Sequence, residues 1–477
     1  MNILLVNPSY FDINAPFAPK IILETKGKSE PLGLLYIASY LKQMIPQINI
    51  KIFDSQNFDN DYLLSYKSII NQFKPDVVGI SSFTPTIFRT IEIAKITKEI
   101  NHDVHINIGG PHTSVFPEET LKLKWVDSIT IGEGEITFSE LVDKLSHNAS
   151  LKGIKGLWYK NNNGDIIRNP NREYINNLDI IPFPDRQLLQ PYAYNLIIDK
   201  AVRATTMITS RGCPYNCIFC DTKRKLFIQR SAKNIVDEME ECFKAGYEFI
   251  NIQDDTFNLV KKNVLTICKE IINRGLKISW GFKGRVDLID YETACLLKEA
   301  GCKRIHIGVE SGSDRILDYI KKGFNTAEIK KGVSLLKKVD IQILAYFMIG
   351  IPYETKEEIE KTIDFAIELD PDFAQFTVLY PFPGTALYDM AIKVGAFEKD
   401  YFREYMQEPF QPPEFRRWKT ILSDKEIKKL LRHAYRKFYF RPSYIIKTLS
   451  RDWKHMSSLS ANFYSALQII YFILGLE

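Results

Sequence analysis

Three of the seven cysteines stand close together, at Cys213, Cys217 and Cys220. The other four are scattered through apolar segments, where we interpret them as small buried hydrophobes. An odd number of cysteines with one tight cluster is typical of a metal site in a reducing compartment rather than of a disulfide framework. Three thiolates on one loop can hold three corners of an iron–sulfur cubane and leave its fourth iron open. Zinc also binds thiolates, but this segment offers no obvious fourth ligand for a structural zinc ion.

The composition and charge of the chain narrow its class. The 477 residues are enough for two or three domains with separate cores. Apolar residues make up 45% and charged residues 25%, which is typical of a soluble globular protein. The net charge of +5 is too small to indicate nucleic-acid binding, and we expect none. The first residues lead directly into a strand pattern without the basic start of a signal peptide, so we predict a cytoplasmic location.

The first 150 residues alternate short apolar runs with amphipathic helical patterns. This alternation predicts an α/β fold with a doubly wound, Rossmann-like parallel sheet covered by helices on both faces. Ligands of such sheets bind beyond the carboxyl ends of the strands, and most residues predicted there are small. Small residues let a large ligand approach the backbone closely, although tight turns between strands and helices require them as well. The residues at these ends are Pro8, Ser9, Ser81, Ser82, Gly109, Gly110, Gly132, Glu133 and Gly134.

Residues 151–200 interrupt this alternation. A hairpin is predicted around residues 161–164, and the proline-rich segment 180–185 is typical of an extended linker, so we place a domain boundary here. From residue 201 to residue 400 six strand–helix units follow, which predicts a full or partial (β/α) barrel whose chemistry lies where the strands end. The predicted strands are 207–209, 249–253, 278–282, 304–309, 343–349 and 373–378.

The C-terminal region, residues 401–477, has helical patterns of changing character. Residues 425–454 carry ten Lys or Arg against two acidic residues, whereas residues 456–476 carry no charge. Polar residues dilute the uncharged stretch, which argues against a membrane span. A basic helix followed by an amphipathic one is typical of a peripheral contact with an anionic membrane surface. The alternative is a C-terminal helix that packs on the barrel.

The cysteine segment resembles the CxxxCxxC signature of radical S-adenosylmethionine (SAM) enzymes, with Ser-Arg-Gly before it and an aromatic residue before the last cysteine. Segments 253–257, 308–312, 349–352 and 380–388 resemble later segments of the same family, each at a strand end. The resemblance implies a [4Fe-4S] cluster on the three cysteines and a partial (β/α)6 barrel that binds SAM. The SAM-contacting residues that it implies are Phe219, Asp254, Asp255, Glu310, Ser311, Gly350 and Pro352.

The N-terminal domain resembles the cobalamin-binding domain of class B-type radical SAM proteins through segments 31–36, 76–82, 108–112 and 131–135. The small residues at its strand ends would then contact cobalamin. The loop after the first strand contains no histidine, so the Asp-x-His-x-x-Gly ligand motif is absent and cobalamin should lack a histidine lower ligand. A domain that has lost cobalamin is also compatible with this absence. Methylthiotransferases of tRNA carry further N-terminal cysteines, whereas this chain has none before Cys213.

The resemblance predicts a cobalamin-dependent radical SAM enzyme. Such an enzyme would methylate an unactivated carbon or, like the anaerobic cyclases of porphyrin pathways, perform another radical transformation. We expect a small-molecule or lipid-like substrate and an electron donor such as ferredoxin or flavodoxin. No general acid or base is identified from the sequence. The alternatives are a non-catalytic iron–sulfur electron carrier or scaffold, and a membrane-surface module centred on the C-terminal region.

Overall fold

A computed structural model describes residues 1–10, 28–58, 61–192, 194, 202–222 and 226–452. The chain forms two compact units. The first is built mainly from Glu30–Ala193, joined by the first N-terminal residues and by Glu398–Glu414. The second is built mainly from Tyr194–Phe397 and the described residues from Phe415 onward.

The first unit contains a seven-stranded sheet in the order β2-β1-β3-β4-β5-β6-β7. The five strands from β1 to β5 run parallel, while β6 and β7 form the predicted hairpin and extend the sheet antiparallel to β5. The doubly wound parallel sheet predicted from the sequence is therefore confirmed. Its elements are β1 (Asn2–Asn7), α1 (Leu32–Met44), β2 (Asn49–Asp54), α2 (Tyr62–Phe73), β3 (Val77–Ser81), α3 (Ile87–Ile100), β4 (His105–Gly109), α4 (Pro111–Val115), α5 (Pro117–Lys122), β5 (Ser128–Thr130), α6 (Gly134–Ser146), β6 (Leu157–Lys160) and β7 (Ile166–Arg168).

The strand order of this sheet determines where a ligand can bind. The order 2-1-3-4-5 reverses direction between β1 and β3, and the crevice beyond the carboxyl ends at such a switch point is the usual ligand site of doubly wound folds. The short helix Tyr401–Tyr405 also belongs to this unit, because the ring of Phe402 stacks on that of Phe116 at 5.4 Å. Residues 398–414 thus pack with the N-terminal sheet, although the sequence groups them with a single C-terminal region.

The second unit contains six parallel strands whose order in the sheet follows the chain. Helices connect successive strands, and β8 and β15 are the two edges of the sheet in the described residues, so the predicted partial (β/α)6 barrel is confirmed. The elements are β8 (Ala204–Met207), β9 (Ser210–Arg211), β10 (Ile228–Gln229), α7 (Ala232–Lys244), β11 (Phe249–Ile252), α8 (Lys261–Asn273), β12 (Ser279–Gly284), α9 (Tyr291–Glu299), β13 (Cys302–Glu310), α10 (Asp314–Tyr319), α11 (Thr326–Lys338), β14 (Gln342–Ile349), α12 (Lys356–Leu369), β15 (Phe373–Val378), α13 (Ala386–Lys393), α14 (Asp424–Tyr439) and α15 (Pro442–Asp452).

The first barrel strand differs from its prediction. The sequence pattern indicates residues 207–209, whereas β8 spans Ala204–Met207. The strand ends early because the backbone N–H of Thr209 donates a hydrogen bond to Asp254 Oδ1 at 2.7 Å instead of joining the ladder. A contact with a residue 45 positions later cannot be read from a local pattern.

The described part of the basic C-terminal segment packs on the barrel. Ser423 caps α14 together with Glu426, and the hydroxyls of Tyr435 and Tyr439 lie 3.0 Å and 2.6 Å from backbone carbonyl oxygens of β15. For residues 424–439 the packed alternative is therefore the correct one. The uncharged stretch 456–476 lies outside the described residues. No helix in the described part of the chain is both long and apolar enough to cross a bilayer.

Two helix glycines provide a matched test of how closely α11 packs against the segment that contains Val286. A methyl group on Gly332 in α11 would lie 2.3 Å from the carbonyl oxygen of Val286, whereas one on Gly33 in α1 would meet no atom within 4 Å. We expect Gly332→Ala to lower the free energy of unfolding by about 1–3 kcal/mol because of overpacking. Gly33→Ala should raise it by up to about 1 kcal/mol, since alanine loses less backbone entropy. Urea denaturation would measure both values, and equal effects would contradict the packing of α11.

Candidate functional site

A buried carboxylate fixes the start of the cysteine loop, residues 209–220. The hydroxyl groups of Thr209 and Ser210 each donate to Asp254 Oδ2 at 2.6 Å, and the N–H of Thr209 donates to Oδ1. Only 1% of Asp254 is exposed, so both carboxylate oxygens are occupied inside the protein. Asp254 therefore positions the loop, and the contact with SAM implied for it by the resemblance stays a prediction.

Arg230 supports the same loop. Its backbone N–H donates to the carbonyl oxygen of Thr209 at 2.9 Å, and its guanidinium donates to the carbonyl oxygen of Ile208 at 2.9 Å. The buried carboxylate of Glu238 balances its charge. The chain on both sides of Thr209 is thus fixed by charged side chains, which defines where the cysteines that follow are placed.

The three cysteines have different environments within the loop. Cys213 and Cys217 are half-buried and Cys220 is exposed. The Sγ atom of Cys213 lies 3.5 Å from Thr256 Oγ1. Burial raises the pKa of Cys217, while the positive charge of Lys322 acts in the opposite direction.

The arrangement of possible ligands distinguishes a cluster from a single ion. Among the described residues, no three His, Cys, Asp or Glu side chains converge where one metal ion could bind. A mononuclear zinc site needs such convergence. Thiolates on a cubane each bind a separate iron, so three spaced cysteines fit an iron–sulfur cluster better.

Two cations that the sequence did not reveal frame the cysteine loop. The guanidinium of Arg285 lies 3.7 Å from the ring centroid of Tyr215, between the cysteines, and donates to the carbonyl oxygen of Lys322 at 2.8 Å. The Nε and Nη2 atoms of Arg285 donate to Oδ1 and Oδ2 of Asp287, each at 3.0 Å. Lys322 is buried and pairs with Glu310 at 2.7 Å. Together, Arg285 and Lys322 are called the cationic frame below.

The segment after β13 is held by specific contacts. Glu310 has a left-handed backbone, with φ of +67°, and its side chain pairs with the cationic frame. Ser311 is buried, and its hydroxyl lies 3.1 Å from that of Thr362 in α12. The ring of Phe219 lies 5.9 Å from Lys322 Nζ. Lys322 therefore brings together Phe219 and Glu310, two of the residues predicted for SAM.

Gly350 and Pro352 lie directly after β14. Gly350 has a φ of +81°, and its N–H donates to Glu354 Oε2 at 2.8 Å. Burial raises the pKa of Glu354 to about 8, and its Oε1 atom has no hydrogen-bond partner among the described residues. Sequence reasoning missed Glu354, which shapes the turn that presents Gly350 and Pro352.

Asp255, unlike its neighbour Asp254, is accessible to a ligand. Its side chain is exposed, and Thr222 Oγ1 lies 3.5 Å from its Oδ1. Crowding by neighbouring protein atoms raises the pKa of Asp255, and the nearby charge of Asp221 acts in the same direction. Of the two adjacent acids, Asp255 is therefore the one whose oxygens can meet a ligand.

In the first unit, the predicted residues lie at the carboxyl ends of neighbouring strands. A methyl group on Gly110, whose φ is +96°, would lie 2.6 Å from the carbonyl oxygen of Ser82, so only glycine fits this close approach. The N–H of Ser82 in turn donates to the carbonyl oxygen of Gly109 at 2.8 Å. Gly132 also has a positive φ of +81°, and the space beside it is open. Gly134 starts α6 against Ile37.

The remaining predicted residues of this edge have structural contacts. Pro8 is buried, and Ser9 N–H donates to Ser55 Oγ at 2.6 Å. Glu133 accepts a hydrogen bond from the N–H of Ile175 at 2.7 Å, while Ser81 is half-buried at the end of β3.

The only histidine close to this edge in the described residues, His112, faces the protein interior. It is fully buried, its Nδ1 lies 3.3 Å from Thr84 Oγ1, and burial lowers its pKa to about 3. It is therefore a neutral core residue.

Comparisons with known proteins bear on these two units separately. The Radical SAM superfamily model matches residues 207–366, and the B12 binding domain model matches residues 19–142. An uncharacterized methyltransferase of Pyrococcus horikoshii is 38% identical over 94% of this chain and 95% of its own length. The chain belongs to the radical SAM superfamily. It is a radical SAM enzyme with a B12 binding domain, so the expected cofactors, a [4Fe-4S] cluster, SAM and cobalamin, are confirmed at the level of the family.

More distant relatives are consistent with this assignment. The anaerobic magnesium-protoporphyrin IX monomethyl ester cyclase of Rubrivivax gelatinosus is 27% identical over 95% of this chain and 80% of its own. The cobalamin-dependent enzyme OxsB superposes with a TM-score of 0.71 at 19% identity, over 99% of this chain and 72% of its own. The methyltransferase TsrM of Kitasatospora setae, with cobalamin and a [4Fe-4S] cluster bound, reaches 0.66 at 19% identity, over 83% and 78%. These structures establish the shared fold. The alternative of a non-catalytic electron carrier is not supported.

The stacking of Arg285 on the cysteine loop can be tested by substitution. Arg285→Lys keeps the charge but loses the flat guanidinium that stacks on Tyr215 and the fork that binds Asp287. We expect the reconstituted cluster to lose iron to a chelator several-fold faster, because the loop is less well fixed. Iron and sulfide content and the decay of the visible absorption of the cluster would measure this. Arg274→Lys is the matched control, since Arg274 pairs with Asp237 and Glu270 away from the loop. Equal decay in both variants would contradict the role of Arg285.

Proposed function

We propose that this protein is a cobalamin-dependent radical SAM methyltransferase that acts on an unactivated carbon of a small molecule. The observation that carries the proposal is a cysteine loop anchored on a buried carboxylate at the mouth of a partial barrel, in a chain that also carries a B12 binding domain. The named methyltransferase at 38% identity favours methyl transfer. The cyclase of Rubrivivax gelatinosus favours an oxidative cyclisation as the second candidate.

For the second unit, we propose that Cys213, Cys217 and Cys220 hold the [4Fe-4S] cluster. When bound and reduced, the cluster supplies the electron that cleaves SAM. Asp254 keeps the loop in place, and the cationic frame offsets negative charge that collects around the thiolates. We assign the amino group of SAM to Asp255 because its oxygens are open. The other residues proposed to line the SAM site are Phe219, Glu310, Ser311, Gly350 and Pro352.

For the first unit, we propose that residues 1–150 bind cobalamin at the carboxyl ends of β1, β3, β4 and β5. The close approach of Gly110 to Ser82 brings backbone rather than side chains to this edge, which leaves space for a large planar ligand. The proposed contact residues are Pro8, Ser9, Ser81, Ser82, Gly109, Gly110, Gly132, Glu133 and Gly134.

We propose the partners of the reaction by chemical class only. Reductive cleavage needs an external electron source, and we propose a small redox protein such as ferredoxin or flavodoxin. We propose a lipid-like substrate and peripheral contact with a membrane from the basic and then uncharged character of residues 425–477. Because α14 packs on β15, we assign this contact to the residues that follow α14. The test for membrane contact is co-sedimentation with anionic liposomes, with and without residues 452–477.

The cluster assignment predicts which cysteines support SAM cleavage. The full chain would be reconstituted anaerobically with iron, sulfide and cobalamin, then given SAM and a strong reductant. We expect 5′-deoxyadenosine from the unaltered protein and only background from the variant in which Cys213, Cys217 and Cys220 are alanine. Cys295→Ala, at a half-buried cysteine in α9 outside the loop, should retain the product. S-Adenosylhomocysteine alongside it would support methyl transfer, and equal product from the triple variant would refute the cluster assignment.

The absence of a histidine in segment 7–18 predicts that bound cobalamin has no histidine as its lower ligand. We expect the EPR spectrum of bound cob(II)alamin to be identical in natural-abundance and uniformly ¹⁵N-labelled protein, because no imidazole nitrogen of the chain binds cobalt. A change in the nitrogen hyperfine splitting on labelling would contradict this. His112→Gln would then show whether the buried His112 is the ligand responsible.

A further inference from the structure

The inner wall of the partial barrel carries three polar side chains on adjacent strands. Side chains alternate along a strand, and the fully buried Ile305 and Ala345 belong to the face that the helices cover. His306 on β13 and Tyr346 on β14 each directly follow one of these two residues, so their side chains are on the opposite face. Lys283 on β12 is the register partner of His306 and shares that face. All three residues are half-buried. They therefore line the concave side of the sheet.

These three side chains form one patch. Lys283 and His306 are register partners on neighbouring strands. His306 Nδ1 lies 3.0 Å from the phenolic oxygen of Tyr346. The patch therefore crosses three consecutive strands, and Leu344, the register partner of His306 on β14, borders it.

The charges of the patch favour a negative ligand. Lys283 has no ion-pair partner within 4 Å among the described residues. Burial lowers its pKa, while Asp255 and Asp254 act in the opposite direction. Burial lowers the pKa of His306 to about 3 and raises that of Tyr346 to about 12, so both are neutral hydrogen-bonding groups near pH 7. A cation beside two neutral polar groups is a combination that binds carboxylates and phosphates through charge-assisted hydrogen bonds.

We propose that Lys283, His306 and Tyr346 form a substrate subsite that takes an anionic group, a carboxylate or a phosphate, of the small-molecule substrate. This inference rests on the proposed function, since it assigns the substrate class of that same barrel. Lys283 lies one residue before the end of β12, and its carbonyl oxygen accepts a hydrogen bond from the N–H of Phe257 at 3.1 Å, so this end of the subsite adjoins the segment that carries Asp255. His306 and Tyr346 lie further from the ends of β13 and β14. A substrate anchored by its anion would extend from the wall toward those ends.

Two aldehyde probes test the anion preference on the reconstituted full chain. Pyridoxal 5′-phosphate and pyridoxal both condense with an unprotonated lysine amine to give an imine and water, and borohydride then reduces the imine. Only the first probe carries a phosphate. Pyridoxal is largely closed to an internal hemiacetal, so pyridoxal 5′-phosphate labels every lysine faster, and the ratio of the two rates is the quantity to compare. We expect this ratio to be roughly tenfold higher at Lys283, which corresponds to about 1.4 kcal/mol, than at Lys303, an exposed lysine at the start of β13. Mass spectrometry of peptides measures each rate, and equal preference at both lysines would overturn the subsite.

Competing ions identify the chemistry of the ligand. Slower labelling of Lys283 in inorganic phosphate supports a phosphate-bearing substrate, and slower labelling in acetate supports a carboxylate. Loss of labelling on addition of SAM alone would mean that Lys283 meets the SAM carboxylate, and would overturn the proposal. The labelling needs no turnover. A protein that shows the preference but forms no 5′-deoxyadenosine would therefore refute the proposed function and leave the subsite standing.

Discussion

The carboxylate of Asp254 is the constraint on which the geometry of the cysteine loop depends. It accepts hydrogen bonds from the backbone and hydroxyl of Thr209 and from the hydroxyl of Ser210, all in the buried region between β8 and the end of β11. Buried donors that lose such an acceptor cost the full desolvation of each group, so the loop has one strongly preferred path. The cysteines come three to ten residues later, and their positions follow from this anchor.

Charge is distributed unevenly around that loop. Arg285 and Lys322 lie close to the cysteines. Arg285 forms an ion pair with Asp287, and Lys322 forms one with Glu310. Such paired cations stay fixed, since breaking a buried pair leaves an uncompensated charge. Lys283, two residues before Arg285, forms no such ion pair with any of the described residues. In the sites proposed above, the paired cations Arg285 and Lys322 would support the cofactor, and Lys283 on the barrel wall would recognise the substrate.

The sequence predicted most of the architecture because short buried strands and amphipathic helices are local patterns. The sheet of the first unit, the barrel strands from β11 to β15 and the residues of the cysteine motif all follow from such patterns, whereas β8 begins and ends earlier than its pattern indicates. What it missed depends on contacts between distant residues. Two adjacent acids, Asp254 and Asp255, have the same chemistry in the sequence, and only the fold shows which one is buried. Arg285 and Lys322 belong to no short motif, because their meeting depends on the pairing of separate strands and loops.

The tyrosines of α14 have a consequence for the open barrel. A sheet that does not close leaves an edge strand whose free N–H and C=O groups can pair with another chain. The Tyr435 hydroxyl meets both the N–H and the carbonyl of Phe376, and the Tyr439 hydroxyl meets both groups of Ala374. Four helical residues rise about 6 Å and two strand residues about 6.6 Å, so the spacing of the two phenols matches every second residue of β15. Side chains of α14 thus pair with this edge strand as a seventh strand would, so the open edge at β15 is not left as a template for aggregation.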